Sequence, residues 1–101
     1  MRQALFTFML AAACSTPVLA NMDLAKSKNC LGCHAVESKL VGPAFHEVAE
    51  KYRDDKGAGA QLAMKIRKGG SGVWGPMAMP ANTQVSEADA KKLATWVLSL
   101  K

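Results

Sequence analysis

The sequence predicts an all-α fold. Apolar residues recur at helical spacing in four separate stretches, and no stretch shows the strict alternation of a half-buried strand. A third observation sets the plan of the chain: glycines and prolines crowd the segment from Gly69 to Val85, which reads as one ordered loop before the last helix.

The elements follow in chain order. Met1-Arg2 gives a short positive start, and Ala4 to Ala13 is an apolar run. That run is far too short for a bilayer span, which needs about 20 apolar residues. A polar break at Cys14-Ser15-Thr16-Pro17 precedes Val18-Leu19-Ala20, which offers a small residue at a cut site. This is the layout of a cleaved export signal. Residues 1–20 are therefore read as a signal peptide and residues 21–101 as one domain beginning at Asn21. Removing 20 of the 101 residues leaves 81. Cys14 follows three alanines, without the Leu usual three before an acylated Cys, and is read as discarded with the leader.

Asp23 is suited to cap a first helix that runs through Leu24, Ala25, Lys26 and Lys28 toward Cys30. Gly42-Pro43 breaks the pattern, because Pro restricts the residue before it. Phe45 to Tyr52 resumes it, with Phe45, Val48, Ala49 and Tyr52 on one side. Ala60 to Lys68 carries Leu62, Ala63 and Ile66 in the same way. After the loop, Ser86 and Asp89 form a capping pair. The last helix then presents Ala90, Leu93, Ala94, Val97 and Leu100 on one face.

The chemistry is concentrated in Cys30-Leu31-Gly32-Cys33-His34. The pattern C-x-x-C-H reads as a covalent haem attachment site. Two thiols on one helical turn reach the two vinyl groups of a haem, and the adjacent His points at the iron. A thioredoxin-like pair should sit near a βαβ pattern, and none is present. A structural zinc site needs four ligands, usually from two such pairs. After cleavage only two Cys and two His remain, and His46 has no partner motif.

The other face of a haem iron takes a second ligand, and a Met thioether opposite His is the arrangement of cytochromes c. Met22 sits at the start of the mature chain, and Met64 lies beside Leu62 and Ala63, where Met serves as core filler. Met77 and Met79 both fall in the Gly/Pro loop. Met79 is preferred, because Pro80 constrains its backbone and Asn82 offers a side chain able to hydrogen-bond its sulfur.

From Asn21 onward the chain resembles the cytochromes c-551/c-552, the small class I cytochromes c of denitrifying and nitrifying bacteria. The resemblance rests on the C-x-x-C-H segment with Val41-Gly42-Pro43-Ala44, Lys68-Gly69-Gly70-Ser71-Gly72-Val73-Trp74-Gly75, Met79-Pro80 and Ala94-Thr95-Trp96-Val97-Leu98-Ser99. It implies a small class I fold of about four helices wrapped around one covalent haem. It also implies roles at matching positions. The Pro43 carbonyl should accept from the His34 ring nitrogen that does not bind iron, and the Trp74 indole should donate to a haem propionate. Lys65 stands where the family often has Arg, keeping the charge without the planar fork. The family's loop commonly reads Pro-Met-Pro, whereas this chain has Ala78 before Met79.

The implied function is one-electron transfer between protein redox partners in the periplasm, by a monomer without a membrane anchor and without substrate turnover of its own. The formal charge of +5 on the full chain falls to +4 without Arg2 and suits docking on acidic protein surfaces. Lys26, Lys28 and Lys39 are candidates for steering that encounter. Nucleic acid is not expected, because the lysines are scattered and no aromatic platform alternates with them. Two rival readings are a haem protein with an open sixth site for small ligands, and a fixed electron-entry subunit of a larger complex. An apolar cavity should mark the haem site.

Overall fold

A computed structural model of the chain describes residues 17–100, with side chains from residue 21 onward. The predicted leader lies outside the described residues, apart from the backbone of its last four positions. Four helices follow in order: α1 Pro17–Ser27, α2 Phe45–Lys51, α3 Ala58–Lys68 and α4 Glu87–Ser99. A single 3-10 turn, Cys30–Gly32, lies between α1 and α2. No strand occurs among the described residues. An isolated antiparallel bridge between Gly70 and Met79 is their nearest approach to one.

The helix α1 begins earlier than its sequence suggests. Asp23 was the expected cap, yet it lies inside the helix, which starts at Pro17. Pro is favoured at a first helical position, where its missing N–H is not needed and its φ is already set. Met22 is correspondingly part of α1 and packs partly buried against the core, not at a loose start. The helix ends at Ser27, and Asn29, two residues on, takes the left-handed conformation at φ 65° and redirects the chain into the Cys30 turn.

The expected seams of α2 and α4 are met in part: Tyr52 and Leu100 fall just past the helix ends and are half-buried, and Trp96, not among the expected residues, is buried. Phe45, Val48 and Ala49 are buried on α2, and Ala90, Leu93, Ala94, Trp96 and Val97 on α4. Ser86 caps α4 by accepting from the Asp89 backbone N–H at 3.1 Å. α4 is the spine of the fold and packs against each of the other three helices. α3 buries Ala58 and Ala63. Met64, expected as core filler, points the other way and is 57% exposed. Successive helical residues turn by 100°, so Met64 lies about 200° from both Leu62 and Ile66, on the opposite face.

Candidate haem site

The attachment segment is one tight turn. The N–H groups of Cys33 and His34 both donate to the Cys30 carbonyl, at 3.2 and 3.0 Å. This places two half-buried free thiols and a half-buried imidazole on one turn. Burial pushes the Cys30 thiol pKa above its ordinary value, and a backbone hydrogen bond opposes that in part.

The His34 ring is held from several directions. Its Nδ1 is 2.7 Å from the Pro43 carbonyl oxygen, which can only accept. Nδ1 therefore carries the proton, and Nε2 keeps the free lone pair that a metal needs. Gly42 lies against the same ring, where an added Cβ would fall 2.5 Å from Cε1 and 2.9 Å from Nδ1. Phe45 stacks on the imidazole at a centroid distance of 5.0 Å and an interplanar angle of 21°. Trp96 meets Phe45 edge-on at 5.5 Å and 71°.

Replacing Gly42 with Ala should therefore push the imidazole off the Pro43 carbonyl. We expect a loss of stability of about 1–3 kcal/mol, the usual cost of overpacking. Thermal melts of the haem-loaded protein check this, and an unchanged melting temperature would show that the ring moves aside freely.

The loop that carries Met79 is anchored by its backbone. Met79 N–H donates to the Gly70 carbonyl at 2.8 Å, and Gly70 N–H returns to the Met79 carbonyl at 3.0 Å. Gly69 ends α3 with φ 71° and sits so close to the Met79 carbonyl that no side chain fits there. Asn82 ties the far side: its backbone N–H and its Nδ2 both donate to the Ile66 carbonyl, at 3.2 and 2.9 Å. The same Nδ2 lies 3.4 Å from the Pro80 carbonyl. The Asn82 amide thus clasps the loop to the end of α3.

These parts surround one cavity of about 250 Å³. All eight residues singled out from the sequence line it: Cys30, Cys33, His34, Pro43, Lys65, Trp74, Met79 and Asn82. Met77 lines it as well but is 68% exposed, whereas Met79 is partly buried. The Lys65 ammonium lies close beside Gly70. Trp74 stands at the rim, with the Lys51 ammonium 5.6 Å from its ring.

Sequence reasoning did not single out Phe45, Trp96 or Gly42 as site residues, although all three line the cavity. Gly42 and Trp96 lie in the Val41–Ala44 and Ala94–Ser99 motifs, but their contacts with His34 and Phe45 join positions apart in sequence and leave no local pattern.

The donor set fits a haem. Two thiols stand beside an imidazole with a free Nε2, and the walls are apolar, with Leu62 and Ile66 only partly covered. Among the described residues no group of three His, Cys, Asp or Glu side chains is placed to hold a bare metal ion. Helices packed around an apolar cavity, with a C-x-x-C-H turn at its edge, define a small c-type cytochrome.

Known proteins agree. A family model for cytochrome c matches residues 22–101. Cytochrome c-552 of Nitrosomonas europaea is 56% identical over 82 residues, covering 81% of this chain and 80% of that protein. Cytochrome c-551 of Pseudomonas aeruginosa is 51% identical over 78 residues, covering 77% of this chain and 74% of that protein. The crystal structure of the Nitrosomonas europaea cytochrome c552 superposes with a TM-score of 0.78, over 79% of this chain and 99% of that one. The chain belongs to the cytochrome c family and resembles its c-551/c-552 members. It has the small class I all-α fold, carries covalently attached haem c and serves electron transport.

Proposed function

We propose that residues 1–20 direct export and are removed after Ala20, and that residues 21–101 act in the periplasm as a one-electron shuttle between protein redox partners. His34 and Met79 are the axial ligands of its single haem. The observation that carries this reading is the 2.7 Å contact of His34 Nδ1 with the Pro43 carbonyl, which reserves Nε2 for iron. Bound haem c supplies a ferric/ferrous one-electron couple.

The chain's own residues do the rest. Cys30 and Cys33 tether the group at two points. The bridge to Gly70 and the Asn82 clasp hold the Met79 backbone in place. Leu62, Ile66 and Val97 keep water from the cavity's inner wall. The Trp74 indole N–H would hold a haem propionate, and Lys65, on the same cavity wall, would add positive charge. Protein ligands on both faces leave no coordination site for a substrate, so the protein does not turn one over. No membrane anchor, nucleic acid or second copy is required, and no helix among the described residues is long and apolar enough to cross a membrane. Lys26, Lys28 and Lys39 favour encounter with acidic protein surfaces.

Intact mass and N-terminal sequencing of the periplasmic fraction test the processing. The expected species starts at Asn21 and carries the mass of one haem. A start at an acylated Cys14, or a haem-free mass, contradicts the proposal.

A further inference from the structure

The contact between His34 and Phe45 has more constraint in it than packing alone requires. A hydrogen bond from Nδ1 to Pro43 fixes one atom of the imidazole, and a ring held at one atom still has freedom to tilt. The near-parallel phenyl face at 5.0 Å removes that freedom, because tilting drives the ring edge into Phe45. Phe45 has little room to yield. It is 7% exposed, it meets the edge-on ring of Trp96, and Trp96 is itself 3% exposed. Its backbone N–H also donates to the Ala35 carbonyl at 2.9 Å, and Ala35 is the residue after His34. Imidazole and phenyl ring are thus tied together through main chain and side chain at once.

We propose that Phe45, backed by Trp96, is a positioning residue for His34 that sets the plane of the imidazole, and through it the asymmetry of the ferric ligand field and the reduction potential. The inference rests on His34 being an axial ligand. Groups that orient a metal-bound His commonly act through hydrogen bonds to its second nitrogen. Here the nitrogen is held by Pro43, and the remaining rotation is held by an aromatic face. Leucine would fill much of the same volume but offers no flat surface, so it would keep the core and release the plane.

The test uses the haem-loaded ferric protein, read by the hyperfine-shifted haem-methyl resonances and by potentiometry. Phe45→Leu should change the spacing of the methyl resonances and shift the potential, while Phe45→Tyr, which restores the face, retains the wild-type pattern. Val85→Ala serves as the stability control: Val85 is 1% exposed and does not line the cavity. It should lower the melting temperature and leave both readouts unchanged. A Phe45→Leu protein with wild-type methyl spacing and potential overturns the positioning role while leaving His34 as ligand. A wild-type protein without a low-spin, His-ligated signature overturns the ligand assignment itself, and the positioning role with it.

Discussion

Replacing both Cys30 and Cys33 with Ala is expected to give a chain that loses all haem to acidic acetone and shows no cooperative melt. The reason lies in the composition of the core. Among the described residues, seven of the thirteen buried apolar ones are alanines, and Val85 is the largest side chain that is fully buried. Domains of this size are marginal on side chains alone. A cavity of about 250 Å³, at roughly 24 cal/mol per Å³, corresponds to about 6 kcal/mol. That is an upper bound, because the cleft opens to water at Val41, Val73 and Trp74, all of them exposed. It still compares with the entire stability of about 5–15 kcal/mol typical of a domain. The apo-chain should therefore be largely disordered or molten, as helical circular dichroism would report. A native-like cooperative melt without haem would show that the side chains suffice. Loss of haem from the wild type on the same extraction would contradict covalent attachment.

Replacing Met79 with Ala is expected to abolish the weak red charge-transfer band of ferric His/Met haem. The reduction potential should also fall by tenths of a volt, within the roughly 0.8 V that axial ligands control. The direction follows from softness: a thioether favours ferrous iron, and its loss favours ferric. Met77→Leu should leave both nearly unchanged. Met79 sits in a doubly hydrogen-bonded bridge, whereas the Met77 side chain is 68% exposed. The double replacement should open the sixth position, so that CO binds the reduced protein and imidazole the oxidised one. Loss of the band in the Met77 variant alone, with retention in the Met79 variant, would place the wrong sulfur on iron.

Much of this was legible in the sequence because it is local. The C-x-x-C-H turn closes within five residues, the Ser86 cap within four, and the α2 and α4 seams repeat at helical spacing. What escaped was set by the helix as a whole or by contacts across the chain. The start of α1 depends on residues before Asp23, so one good cap residue did not locate it. Met64 shares a helix with Leu62 and Ile66 but not a face, and adjacency to apolar residues misassigned it. The Gly70–Met79 bridge joins residues nine apart, and the His34–Phe45 stack joins residues eleven apart. Neither has a periodic signature. One holds the Met79 backbone and the other lies against the His34 ring.

An optical redox titration of the exported, haem-loaded protein, followed by exposure of the reduced form to CO, tests the central claim most directly. A single one-electron wave, with the red charge-transfer band present in the ferric state and no CO adduct in the ferrous state, is the predicted result. Rapid CO binding by the wild-type ferrous protein, or a ferric spectrum without that band, would contradict an electron carrier closed by His34 and Met79.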